Sequence, residues 1–351
     1  RKHKVKDLDV IIATPPCQGM SVANHKKKNE LKRNSLVVES IYMTKNILPK
    51  IFIFENVRSF LNTICTDIDN KSITINEAIG KHLDPNYHIL SKVCNLKNYG
   101  SNSSRTRTIV IGVRKDLKNI SPFDLFPDKK KPKNLKHLIG DLKSLKDMGE
   151  IDSNDIYHSF REFDRRMIPW IELLDEGQSA FDNNSKERIP HRVINGEIVF
   201  NKSSNADKYR RCFWNQIGPC IHTRNDILAS QSTIHPSDNR VFSIRELMRM
   251  MTIPKNFKWH SRSFKELSSL SLLEKKKLLK KSDSNIRQCI GEAVPTYPMT
   301  DISSKINNYL TNADQLTLSK VKKIILDYDL GNIDNILLFI NENQKKYSIN
   351  E

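Results

Sequence analysis

Two short apolar runs on either side of one helical segment constrain this fold more than any other feature of the chain. The first, Asp9-Val10-Ile11-Ile12-Ala13, is β-branched and too short for a helix, and Thr14-Pro15-Pro16 closes it. The paired prolines end the strand and stiffen the turn that follows. Residues 36–48 carry apolar side chains at helical spacing, and Pro49 marks their end. Ile51-Phe52-Ile53-Phe54 is a second buried strand, ending at Glu55-Asn56-Val57. Strand, helix and strand in this order predict a βαβ unit in a parallel sheet. A right-handed crossover brings the C-terminal ends of both strands to one edge. Cys17 and Glu55 follow those ends, where open α/β sheets hold their ligands.

The rest of the chain extends this frame. Tyr87 to Leu96 and Thr108 to Val113 read as further strands. If the second of them begins at Arg105, period two puts the guanidinium groups of Arg105 and Arg107 on one face. Composition shifts at Asp128-Lys129-Lys130-Lys131-Pro132-Lys133, which reads as a solvated linker. Leu135 to Leu145 looks like a short helix. Between about 150 and 235 the pattern is irregular, and Asn195-Gly196 predicts a hairpin. Ser243 and Glu246 form a capping-box pair ahead of a helix reaching Met251. Residues 264–281 read as a Lys-rich solvated helix, and the last 40 residues as amphipathic helices. The expected division is a catalytic domain over 1–149, a small domain over 150–285, a return segment over 286–312 and a helical extension over 313–351.

Composition narrows the function classes. At 351 residues and 38% hydrophobic content the chain can bury a core. No apolar run approaches the ~18 residues that cross a membrane, so a cytoplasmic, nucleoid-associated protein is expected. The net charge of +18 suits a polyanionic partner. Six scattered cysteines, without paired or His/Cys ligand spacing, predict reduced thiols and no metal site.

The sharpest chemistry is at Pro15-Pro16-Cys17-Gln18, where a rigid turn fixes and exposes a thiol. Glu55 at the end of the next strand adds a carboxyl acid, so a nucleophile and an acid are expected at one site. Pro15-Pro16-Cys17-Gln18-Gly19-Met20-Ser21 and Phe54-Glu55-Asn56-Val57 resemble two signature motifs of the cytosine-5 DNA methyltransferases. Four further segments resemble family motifs in order. They are Arg33-Asn34-Ser35-Leu36, Ser103-Ser104-Arg105-Thr106-Arg107, Arg240 to Leu247, and Gln288 to Pro295. Ser103 stands where the family has Gln, and Glu292 where it has Asn, which puts a negative charge near the donor's carboxylate end.

The resemblance implies a Rossmann-like class I methyltransferase sheet of α/β class with a smaller, irregular target-recognition domain. It implies methyl transfer from S-adenosylmethionine to C5 of a cytosine flipped out of duplex DNA, in a restriction-modification setting. Cys17 is then the nucleophile at C6, and Glu55 donates to N3 with a pKa raised by burial. Arg105 and Arg107 contact the base edge or flanking phosphates, while Gln18, Ser21, Asn56 and Arg240 contact DNA or shape its pocket. Pro16, Leu36, Glu292, Ala293 and Val294 border the donor. The basic loop 18–35 is expected to close over the site as a lid, because it begins at Cys17.

Base or backbone contacts are expected among Arg188, His191, Arg192, Lys208, Arg210 and Arg211, with Trp170 and Trp214 as core. The family's Gly-rich donor turn and ribose-binding acid do not occur before Cys17. The remaining donor motifs are therefore expected in a missing N-terminal segment or in a complementary subunit, and weak donor binding by this chain alone follows. Two alternatives are a tRNA cytosine-5 methyltransferase and a DNA-binding subunit that is inactive without its partner.

Overall fold

The computed structural model describes residues 8–16, 30–201 and 207–311, and for 30–35 the backbone alone. Cys17, Gln18, Ser21, most of the expected lid and the extension beyond 312 lie outside the described residues. The chain divides into two compact units. The first takes the described residues up to Asn95, then Thr106–Asp128, and those from Thr300 on; the second takes Leu96–Arg105 and Lys129–Met299.

The first unit is built on a four-stranded sheet. Its elements are β1 (Val10–Ala13), α1 (Glu30–Ile47), β2 (Ile51–Val57), the ribbon of β3 (Ile64–Thr66) and β4 (Ser72–Thr74), α2 (Ile75–Leu83), β5 (Tyr87–Asn95), β6 (Thr106–Arg114) and α3 (Pro122–Leu125). Strand order is β1-β2-β6-β5. Only β1 and β2 run parallel, as the βαβ pattern requires; β6 is antiparallel to both β2 and β5, so the sheet is mixed. Every residue of β2 through Asn56 is buried, as are Thr108 to Val113 of β6. Gly112 is needed at the centre, because a Cβ there would sit 1.9 Å from the Phe52 ring. That ring packs edge-on against Tyr87 and beside Phe54.

Helix α1 starts at Glu30, six residues before the expected start at Leu36. Residues 30–35 hold one apolar side chain, Leu31, which makes no stripe by itself, so periodicity does not reveal them.

The second unit contains α4 (Leu135–Ile139), α5 (Ile168–Ile171), the hairpin of β7 (His191–Ile194) and β8 (Glu197–Phe200), α6 (Ile244–Met250), α7 (Phe264–Ser268) and α8 (Leu272–Glu292). Helix α9 (Thr296–Thr311) carries the chain onward. The unit begins at 129 rather than 150 because Leu135, Leu138 and Ile139 are buried with Phe242, Leu247 and Met248. It extends to 299 rather than 285 because Ile286 and Ile290 join the same core. A second core gathers Trp170, Ile171, Tyr209, Ile234 and Val241.

The hairpin forms where expected, with Asn195 at φ 51° and Gly196 at φ 83°, the two left-handed residues of a type I′ turn. The Ser243–Glu246 capping box is also present. The expected Lys-rich helix is two helices, and the second runs on to Glu292, so Gln288 to Glu292 form its final turn. Among the described residues, no helix is long and apolar enough to cross a membrane.

Candidate active site

In the first unit, parallel pairing sets Ala13 opposite Phe54, which brings the residues after β1 beside Glu55 and Asn56. Asn56 is buried, and its Nδ2 donates to the Pro15 carbonyl at 2.9 Å while its Oδ1 accepts from the Val57 amide at 2.9 Å. One amide side chain therefore ties the Pro15-Pro16 turn to the end of β2. Cys17 is two residues beyond that tether.

Glu55 lies within β2 rather than past its end, and it is 6% exposed. Antiparallel pairing puts Arg107 opposite Val57, a diagonal neighbour of Glu55 on the same face. The Arg107 Nε is 3.1 Å from the Glu55 Oε1. A second nitrogen of the same guanidinium donates to the Thr106 carbonyl at 2.8 Å. Cys94 is opposite Arg107 on β5, with its thiol pushed up to about 12, chiefly by burial. Burial also raises Cys65 to about 11 and Cys212 to about 12. These three thiols stay protonated near neutral pH and are poor nucleophiles.

Arg105 and Arg107 do not share a target. Arg105 precedes β6 and belongs to the second unit, where it is 3% exposed. Its guanidinium donates to the carbonyls of Ile221 and Gly291, both at 2.9 Å, and of Glu292 at 3.4 Å. The last two are terminal carbonyls of α8, which have no partner within the helix, so Arg105 caps that helix. Gly291 allows the close packing there: a Cβ would meet the His222 carbonyl at 2.5 Å. Two motifs far apart in sequence are thus joined by one buried arginine. Ser103 is also buried, and the Ser101 hydroxyl braces its backbone at both N and O.

Arg240, whose motif implies a contact with DNA, is instead 0% exposed and meets both Glu246 oxygens at 2.8 Å. Its Nε also donates to Asp238 at 3.0 Å. A side chain enclosed and paired in this way has no route to a phosphate or a base. Arg211 is excluded for the same reason, being 3% exposed with its guanidinium on the carbonyls of His235, Asp238 and Ile171. Arg192 is exposed, and Arg188, His191, Lys208 and Arg210 are half-buried.

The residues expected at the donor are divided between the units. In the first unit, Pro16 is exposed and Leu36 is 49% exposed, so both are open to a ligand's apolar surface. In the second, Glu292 is exposed and its Oε1 accepts from Gln288 Nε2 at 2.9 Å, with Ala293 and Val294 half-buried beside it. β1 is an edge strand, with Ile12 54% exposed.

A family model described as C-5 cytosine-specific DNA methylase matches residues 1–308. A Type II methyltransferase of Avibacterium volantium is 31% identical over 317 residues, covering 86% of this chain and 79% of that protein. A Type II methyltransferase of Desulfomicrobium norvegicum is 24% identical over 350 residues, covering 91% and 77%. The solved structure of a prophage-encoded DNA modification methyltransferase from E. coli matches with a TM-score of 0.56 at 18% identity, covering 87% of this chain and 80% of that one. That likeness concerns the fold, a Rossmann-like class I methyltransferase fold.

Proposed function

Since this chain belongs to the C-5 cytosine-specific DNA methylases, enzymes of DNA cytosine-5 methylation that use S-adenosylmethionine, we propose that Cys17 and Glu55 carry its chemistry on a flipped cytosine. The single observation that supports this best is the Asn56–Pro15 tether, which holds the turn leading to Cys17 against the strand that carries Glu55.

Cytosine C5 is a weak nucleophile. Addition of the Cys17 thiolate to C6 moves electron density onto C5 and N3. Proton donation from Glu55 to N3 stabilises that charge, and C5 becomes reactive toward an electrophilic carbon. The donor, when bound, supplies that carbon as a methyl group. Loss of the C5 proton then expels Cys17 and restores the aromatic ring. Glu55 is suited to the acid's role, because it is buried on the strand tied to the turn that leads to Cys17 and Arg107 fixes its orientation. The target atoms are inaccessible in a stacked duplex, so the base must leave the helix, at a cost of a few kcal/mol.

Arg107 acts beside Glu55, whereas Arg105 is a positioning residue for α8. Pro16 and Leu36 are the donor contacts proposed in the first unit, and Glu292, Ala293 and Val294 those proposed in the second. Gln18 and Ser21 belong with Cys17 at the DNA. Sequence readout lies in the second unit, with Arg188, His191, Arg192, Lys208 and Arg210 as its candidates. The Type II relatives support a role in protecting DNA within a restriction-modification system.

The test is Cys17→Ser in the donor-competent enzyme. Methyl transfer to duplex DNA is expected to fall below detection while DNA affinity stays within about threefold. Retained turnover overturns the assignment.

A further inference from the structure

The lysine run at 129–136 reads as a solvated linker in the sequence, and its structure is different. Its backbone is fixed at five points. Lys130 N donates to the Asn98 carbonyl at 2.8 Å and Gly100 N to the Lys130 carbonyl at 3.3 Å. Lys133 N donates to Asn102 Oδ1 at 2.9 Å. Leu135 N and Lys136 N donate to the carbonyls of Gln216 and Trp214, both at 2.9 Å. The side chains of Lys129, Lys130, Lys131, Lys133 and Lys136 are all exposed. No acidic residue occurs between Asp128 and Asp141. Among the described residues, Lys131, Lys133 and Lys136 enter none of the ion pairs. Beside them opens a groove of about 550 Å³, lined by Pro132, Lys133, Asn134, His137, Asn215 and Ile217.

Five arginines of the same unit differ in kind. Arg105, Arg211, Arg240, Arg245 and Arg287 are all at most 3% exposed and serve internal carbonyls or carboxylates. The positive charge that this unit offers to a partner is therefore mostly lysine, and the densest run of it has an ordered backbone. A fixed row of ammonium groups suits a regular array of phosphates, because little backbone entropy is lost when the array binds. Point charges of this kind hold a backbone without reading its bases. The adjoining segment 98–102 continues in sequence through Arg105 to Arg107, so the run is connected by a short stretch of chain to the proposed catalytic residues.

We propose that Lys131, Lys133 and Lys136 form a phosphate-binding rail for the backbone of duplex DNA, which anchors the substrate independently of its sequence. The proposal rests on the reading that this chain acts on duplex DNA. It is tested with the full chain and labelled duplex DNA, by fluorescence anisotropy over a series of salt concentrations. Three variants are compared with wild type: K131Q/K133Q/K136Q, the charge-preserving K131R/K133R/K136R, and K277Q/K280Q/K281Q on the exposed face of α8.

The Gln rail variant is expected to bind about 10–100-fold more weakly near 0.1 M salt, with a salt slope shallower by about 2–3. The loss should be equal for duplexes of unrelated sequence. The Arg rail variant and the α8 variant should keep the wild-type slope. A Gln rail variant with wild-type slope and affinity overturns the rail and leaves the functional reading in place. Wild-type protein that binds tRNA more tightly than duplex DNA, or binds duplex with no salt dependence, overturns that reading and the rail with it.

Discussion

Arg107 and Arg240 each meet a glutamate, and the two pairs are built for different ends. Arg240 is fully enclosed, binds Glu246 through two nitrogens, adds Asp238, and has His235 packed against the same carboxylates. All of its charge is balanced inside the second unit. Arg107 approaches Glu55 through Nε, keeps a side chain 17% exposed, and sits on β6 opposite Val57. The first arrangement is a frame, because every charge in it already has a protein partner. The second holds one carboxyl through the Arg107 Nε. Charge in a motif therefore indicates chemistry only when the fold leaves it a reason to meet something from outside.

Removing the carboxylate from each pair breaks the comparison most sharply. Glu246→Gln breaks the two-nitrogen contact and leaves Arg240 with Asp238 as its remaining carboxylate partner in the core, which is expected to cost about 3–5 kcal/mol of stability. Glu55→Gln is expected to lower methyl transfer by about 10²–10⁴-fold and to shift the melting temperature by no more than about 3 °C. Thermal melts and single-turnover transfer assays on both variants are the check. Equal loss of stability in the two would put Glu55 in the frame as well.

The arginines two residues apart give the next largest contrast. Arg105→Ala leaves the terminal carbonyls of α8 without their cap and should destabilise the protein by about 2–3 kcal/mol. Arg107→Ala should change stability by about 1 kcal/mol or less while reducing transfer. Urea unfolding midpoints set beside transfer rates separate the two roles. A stable Arg105→Ala protein with impaired transfer would return Arg105 to the catalytic group.

The smallest effect is in the pH dependence of the frame. Burial, foremost, lowers the His235 pKa from 6.5 to about 4. Above pH 6.5 the imidazole is neutral in folded and unfolded chains alike, and its contribution to stability is complete. As pH falls from 6.5 toward 4, the unfolded chain takes up a proton that the folded chain refuses, so stability declines through that window. A loss of ~2 kcal/mol is expected between pH 7 and 4.5, read from urea midpoints. The slope should flatten in His235→Gln, and an unchanged slope there would assign the decline to other groups.

The βαβ start, the end of β1, the type I′ hairpin and the Ser243–Glu246 box were legible because each rests on local chemistry: β-branched runs, a proline stop, Asn-Gly, a hydroxyl three residues before a carboxylate. Glu55 is singled out by its strand position and Asn56 by the family motif. What could not be read depended on distant partners. Arg240 looked like a DNA contact until Glu246 and Asp238 enclosed it, and Arg105 paired with Arg107 in sequence until α8 drew it away. The lysine run looked solvated because the carbonyls that fix it come from residues 98, 214 and 216 and the amide oxygen from Asn102. The unit boundary shifted to 129 for a similar reason: the apolar side chains of α4 are too few to announce which core they enter.

The central claim is that Cys17, two residues past the tethered Pro15, is the residue that bonds to the base. Duplex DNA in which the target cytosine carries fluorine at C5 tests it most directly, since no proton can then leave C5 to expel the thiol. With the donor-competent enzyme and S-adenosylmethionine, intact-mass analysis and peptide mapping should find a stable protein–DNA adduct at Cys17, and none in Cys17→Ser. An adduct at Cys220 or Cys289, or full methyl transfer by the Cys17→Ser protein, would contradict the account.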